Sequence, residues 1–310
     1  MRKEEFYYDS FCNSNRIHAI KWVPEGTPLC IVQVVHGMAE HMGRYEEFAS
    51  FLTEHNIMVV GEDLLGHGLS MGENPPGYFC EKEPGKILAE DVRILKDIIR
   101  KEYPDTPYVL FGHSMGSFIT RNFIHTYSKE VDGAILSGTG MLPKVLMYVL
   151  MALLRIQMAL FEPQQVSPLM NKLAFGSYLK RIKNAKTESD WLTTDIEQVE
   201  EFLKDPLCGF RLTLNGFKGM EELIKGLYNR EEASTINKDF PMFFIYGEED
   251  PVGDYGKQVS SSIRFYKTLG MNKISNKVYP GKRHELLHED IRLEVMQVVL
   301  DWKFPYWQNR

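Results

Sequence analysis

Two short stretches of the chain place reactive residue types at a defined spacing. Near the C-terminus, His284-Glu285-Leu286-Leu287-His288 matches H-E-x-x-H, which on a helix sets two imidazoles on one face to hold zinc and supplies a glutamate as general base. In mid-chain, Gly112-His113-Ser114-Met115-Gly116 matches G-x-S-x-G, in which a serine on a sharp strand-to-helix turn exposes its hydroxyl as a nucleophile. One implies a metal-activated water and the other a covalent intermediate. The flanking sequence decides between them.

Ser114 has the expected context: the hydrophobic run P-Y-V-L-F before it and a helical pattern after it. Glycines at 112 and 116 remove the Cβ atoms that would keep neighbouring backbone away from such a turn. A serine hydroxyl is a weak nucleophile until a base takes its proton, and the base needs an acid to hold its tautomer. Both should come later in the chain, at the ends of later strands. The run P-M-F-F-I-Y leads into Gly247-Glu248-Glu249-Asp250-Pro251-Val252, and N-K-V-Y leads into Pro280-Gly281-Lys282-Arg283-His284. Ser114, Asp250 and His284 thus follow one known nucleophile, acid, base order. Charge developing on a substrate oxygen also needs donors: the N–H of Met115, and the N–H of Met38 in the loop that follows an early strand ending at His36-Gly37.

The zinc reading fares worse. His284 follows a strand and a Pro-Gly turn, which predicts a loop, and the longer H-E-x-x-H-x-x-G-x-x-H pattern fails at Ile291 and Glu294. The match is read as coincidental, with His284 serving the serine and His288 standing at a helix start or on the surface. No metal or cofactor is expected. His67 is read as structural, and His113, on the tight turn, as pointing away from the serine.

These residues need a scaffold. Candidate strands run over Ile17–Val23, Leu29–Val35, Ile57–Gly61, Tyr108–Phe111, Val131–Leu136, Met242–Tyr246 and Lys277–Tyr279, with amphipathic stretches such as Ala89–Glu102 and Phe118–Tyr127 between several of them. Such alternation predicts a mostly parallel sheet covered on both faces. From about Gly140 to Lys238 it stops, and only helical segments follow. This divides the chain into an α/β core first half (1–139), a helical insertion (140–238) and a core second half (239–310). Within the insertion, Leu142–Phe161 is apolar but interrupted by Lys144, Arg155 and Gln157. That is too broken for a span of about 20 residues, leaving a buried core helix, the commoner outcome, or a lid with one apolar face turned toward lipid.

At this point the chain resembles a known family. H-G-M-A-E-H-M-G-R-Y (36–45), D-L-L-G-H-G-L-S (63–70), G-H-S-M-G (112–116), G-E-E-D-P-V (247–252) and H-E-L (284–286) are together similar to the monoacylglycerol lipase and lysophospholipase branch of the α/β-hydrolases. The resemblance spans nearly the whole chain. It implies hydrolysis of carboxylic esters of a single acyl chain through an acyl-enzyme, beneath a mobile helical cap, with Glu40 and Arg44 shaping the alcohol side of the pocket. The chain departs from the family at Ala39, where glycine is usual, and at Leu65, where a larger polar residue is frequent. Neither change removes a catalytic group.

The same machinery under a different cap would make a serine aminopeptidase or amidase, for which Glu197, Glu200 and Glu201 could receive a free amine. A non-catalytic binding protein on the same fold is a third reading, disfavoured because no triad member is missing. Composition adds exclusions: 44% hydrophobic and 25% charged residues describe a globular protein, and a net charge of −6 with no long basic run offers no attraction to nucleic acid. Cys12, Cys30, Cys80 and Cys208 form no C-x-x-C pair, and the N-terminus shows no apolar signal region. The expected setting is cytoplasmic with reduced thiols, in peripheral contact with a membrane or micelle through the cap. The expected partner is a small acyl ester.

Overall fold

The alternation resolves into strands and helices over residues 1–13 and 15–302, the part of the chain that the computed structural model describes. In chain order they are β1 (Arg2–Asp9), β2 (Arg16–Val23), β3 (Cys30–Val35), α1 (Glu46–Glu54), β4 (Ile57–Glu62), α2 (Pro84–Glu102), β5 (Tyr108–His113), α3 (Met115–Tyr127), β6 (Gly133–Ser137), α4 (Lys144–Leu160), α5 (Pro168–Phe175), α6 (Ile196–Lys204), α7 (Leu214–Gly226), α8 (Arg230–Ser234), β7 (Met242–Gly247), α9 (Lys257–Thr268), β8 (Ile274–Tyr279) and α10 (Arg292–Asp301). All seven expected strands form, with shifted ends at β6 and β8. β1 is additional: a charged edge strand that the period-2 pattern does not reveal.

The eight strands make one sheet in the order β1-β2-β4-β3-β5-β6-β7-β8. β1 and β2 pair antiparallel, as do β2 and β4, and every pairing from β4 across to β8 is parallel. Strand residues alternate between two apolar cores, one on each face. From β3, Ile31 and Val35 enter one core and Val32 and Val34 the other; from β5, Tyr108 and Leu110 oppose Val109 and Phe111. The first core is closed by α2, α3 and α9 through Leu88, Val92, Ile119, Phe123 and Val259. The second is closed by α1 and α10 through Phe48, Leu52, Val295 and Val299. On α2, Leu88, Val92, Leu95 and Ile99 recur at helical spacing and are fully buried, each stabilising by about 1.5–3 kcal/mol. This is an α/β-hydrolase arrangement.

Between β6 and β7 the chain builds α4 to α8, and an isolated bridge pairs Val166 with Thr213. The commoner expectation for α4, a buried core helix, does not hold. Met147, Met151 and Leu154 are buried, but Val145, Tyr148, Val149, Ile156 and Leu160 are exposed, Val145 at 79% and Leu160 at 70%. Its apolar residues cover more of the circumference than one packed face can use. Among the described residues no helix is long and apolar enough to cross a membrane.

Candidate active site

In an open parallel sheet, sites form beyond the carboxyl ends of the strands, near the point where strand order reverses. Here that point lies between β3 and β5. The loops after β3, β5, β7 and β8 carry Met38, Ser114, Asp250 and His284 respectively.

Ser114 is wedged between β5 and α3 at φ 52° and ψ −119°, a conformation L residues rarely adopt outside functional turns. Its N–H donates to Ser137 O (2.9 Å), and its carbonyl accepts from the Ser117 N–H (2.9 Å) and hydroxyl (2.6 Å). The flanking glycines are required by space. A Cβ on Gly116 would lie 1.9 Å from Val35 O and 2.5 Å from His36 O, and one on Gly112 would lie 2.6 Å from Gly116 O. Backbone cannot yield to either, so α3 docks on β3 only with glycine there.

Asp250 and His284 are both buried, and Nδ1 of His284 meets Asp250 Oδ2 at 3.0 Å. Asp250 Oδ1 accepts the Val252 N–H (2.8 Å), which turns the carboxylate toward the ring. Burial works against an imidazolium at His284, but the charge and hydrogen bond of Asp250 outweigh it, and the pKa is raised above 6.5. Nε2 of His284 has no partner among the described residues. No hydrogen bond links it to the Ser114 hydroxyl, although both residues line one cavity. Gly138, at φ 59°, makes room for this ring, since a Cβ there would sit 2.7 Å from His284 Cε1.

His113 departs from expectation. Its ring does not point away from the site: it packs 4.7 Å from the His284 ring and lines the same cavity, with Nδ1 3.4 Å from Ser137 Oγ. His113 is the last residue of β5, and from there its ring meets Ser137 at the end of β6 and His284 in the loop after β8. Burial, then the neighbouring charge of His284, lower its pKa to about 4, so it stays neutral at physiological pH. On the other side, Trp191 packs 5.1 Å from His284. Sequence reasoning had no signal for Trp191, which arrives from the helical insertion. The insertion also grips the His284 loop: the Glu285 N–H donates to Leu192 O (2.7 Å), and Arg283 Nη1 donates to Asp190 O (2.6 Å) and Thr193 O (3.0 Å).

Met38 and Met115 both line the cavity. Of the pair expected at the alcohol side, Glu40 lines it too, whereas Arg44 borders a second, neighbouring cavity. Arg44, largely covered, is held between Glu40 and Glu285. Of the three conspicuous residues in H-E-x-x-H, His284 faces Asp250, Glu285 is held by Arg44, and His288 Nδ1 faces Gln198 Oε1 at 3.2 Å. The segment is a loop followed by a 3₁₀ turn over Leu286–His288, not the α-helix that a zinc site of this pattern uses. His67 is fully buried against Phe79 and Phe210.

The cavity measures about 600 Å³; Met38, Met115, Phe118, Phe175, Leu179 and Met220 are among its apolar lining, and Glu40, Lys172, Glu188, Arg211 and Glu285 are its charged members. Glu197, Glu200 and Glu201 are exposed on α6. None of the three lines it.

Comparison with known proteins places the chain in a family. The family described as serine aminopeptidase, S33, matches residues 26–291. A monoglyceride lipase of Mus musculus is 40% identical over 288 residues, covering 91% of this chain and 84% of that one. A monoacylglycerol lipase of Mycolicibacterium smegmatis is 26% identical over 284 residues, covering 91% and 90%. Among solved structures, a thermostable carboxyl esterase from Bacillus coagulans, crystallised with glycerol, superposes with a TM-score of 0.89 at 30% identity, covering 100% of this chain and 99% of the other. A soluble variant of the Saccharomyces cerevisiae monoglyceride lipase gives 0.76 at 18% identity, covering 100% and 96%, a likeness of fold alone.

Proposed function

The chain belongs to the serine aminopeptidase S33 family of α/β-hydrolases, in its monoglyceride lipase-like branch, and is a carboxylic ester hydrolase; from that premise we propose that it cleaves esters of single acyl chains through an acyl-enzyme on Ser114. The observation that carries this reading is the buried pair of His284 and Asp250, with His284 Nε2 left without a partner among the described residues beside a cavity that Ser114 also lines.

In this mechanism His284 takes the Ser114 proton as the oxygen attacks the ester carbonyl, while Asp250 holds the Nδ1–H tautomer. The oxyanion is held by the N–H groups of Met38 and Met115. His284 then returns the proton to the departing alcohol oxygen, and a water repeats the sequence to release the acid and restore Ser114. A contact between Ser114 and His284 that tightens only when substrate is bound is ordinary in such sites.

The substrate class rests on the cavity. Its 600 Å³ falls in the range of small-molecule sites, and its largely apolar wall favours one acyl chain. We assign residues 140–238 as a cap, because Phe175, Leu179 and Trp191 from that stretch wall the cavity, and the apolar exterior of α4 as the surface that meets a membrane or micelle. A panel of p-nitrophenyl esters from short to long acyl groups, set against aminoacyl amides, tests the reading. Turnover rising into medium or long acyl esters is expected. Exclusive turnover of aminoacyl amides would replace it with a peptidase.

A further inference from the structure

One buried ion network joins the two halves of this machinery. Glu40 Oε1 accepts the N–H of Gly37, the residue before Met38, at 2.5 Å, and the Tyr45 hydroxyl at 3.0 Å. Arg44 Nη1 donates to Glu40 Oε2 (2.8 Å) and to Glu285 Oε1 (2.8 Å), and Nη2 to Glu285 Oε2 (2.7 Å). Glu285 directly follows His284. The Arg44, Glu40 and Glu285 side chains are 9%, 2% and 5% exposed, and the guanidinium lies 4.9 Å over the Phe202 ring. Gly37 is part of the same arrangement, since a Cβ there would lie 2.6 Å from Glu40 Oε1.

We propose that Arg44 is a positioning residue that ties the loop presenting the Met38 N–H to the loop presenting His284, so that oxyanion donor and general base keep one relative geometry. The proposal rests on the reading of Ser114, Asp250 and His284 given above. Arg44 and Glu285 are 241 residues apart in sequence, and neither Glu40 nor Glu285 lies in a helix or strand. Two such loops need a directional tie, because catalytic groups must hold to within about 0.5 Å of working geometry. A guanidinium supplies one: its planar fork takes Glu285 through both nitrogens while the remaining direction of Nη1 reaches Glu40. An ammonium is a point charge that sets no such angles. Burial opposes the charge on Glu285, and Arg44 overcomes it, holding that carboxyl far below its ordinary range. The glutamate of the H-E-x-x-H match thereby has a use unrelated to zinc.

The test is steady-state turnover of a soluble p-nitrophenyl ester by Arg44→Lys, Glu285→Gln and their double variant, alongside the rate at which a fluorophosphonate labels Ser114. Each single variant should lose about tenfold or more in kcat with KM changed less than about twofold, as misplacement without lost binding requires. Labelling should slow in step. The double variant should lose little beyond the worse single, since the residues act as a unit. A variant that melts at the assay temperature is replaced by Glu285→Asp, which keeps the charge but draws it back by one methylene and should show the same split. A folded variant with unchanged kcat would overturn the proposal. So would raised KM at unchanged kcat, which would make Arg44 a contact for the substrate alcohol. Turnover surviving in Ser114→Ala would sink the underlying triad, whereas an inactive Ser114→Ala beside a fully active Arg44→Lys would sink this proposal alone.

Discussion

At the scale of single residues, the proposed catalysis turns on the protonation of one imidazole. Only neutral His284 can take a proton from Ser114, and its pKa is raised above 6.5, so kcat/KM should climb with pH through a midpoint above that value. Asp250→Asn removes the charge responsible. It should move the midpoint below 6.5 and lower kcat by about 10³- to 10⁴-fold, read from pH–rate profiles of the two proteins. The meeting of Asp250 with His284 was legible in sequence because each follows a strand in the order the architecture demands. His113 and Trp191 were not. Side-chain direction on a turn depends on a backbone angle that sequence does not display, and Trp191 reaches the site from the insertion through the tertiary fold.

At the scale of elements, close approach of backbone to backbone positions Ser114. Gly116→Ala would drive a methyl into Val35 O and His36 O, so it should destabilise by about 3 kcal/mol or more, measured by urea unfolding, and abolish fluorophosphonate labelling. Ala39 shows the opposite case. It holds φ 55° in the loop after β3, where its Cβ is a steric burden, and Ala39→Gly should stabilise by roughly 0.5–1 kcal/mol after glycine's entropy cost. The parallel strands were readable because both their faces are buried, giving continuous apolar runs. β1 was hidden because R-K-E-E-F-Y-Y-D is an exposed edge strand, where charge guards against pairing with other chains and erases the alternating pattern. The exposed apolar side of α4 was equally unreadable, since an apolar helix looks the same whether it is covered or bare.

At the scale of the whole molecule, buried groups set the pH range of stability. Burial lowers the pKa of His67 to about 3, His113 to about 4, His125 to about 3 and His288 to about 4. These histidines bind protons in the unfolded chain before the folded one, so stability falls as pH drops below about 6.5. Glu62 and Asp91 work the other way. Burial raises them to about 8 and about 7; the folded chain holds their protons where the unfolded chain has lost them, so stability falls as pH rises toward 8. Melting temperature should therefore peak near pH 6.5, and Glu62→Gln should flatten the decline between 7 and 8. The α4 surface has its own test: Val149→Glu with Leu160→Glu should slow hydrolysis of a micellar long-chain monoacylglycerol while sparing a soluble short-chain ester, and equal rates on both would detach that surface from function. The central claim meets its most direct test in intact-mass and peptide-mapping analysis of the protein after fluorophosphonate treatment. One adduct on Ser114, lost in Ser114→Ala together with esterase turnover and formed far more slowly in His284→Ala, is the predicted result. An adduct on any other residue, or a Ser114→Ala protein that still hydrolyses esters, would contradict it.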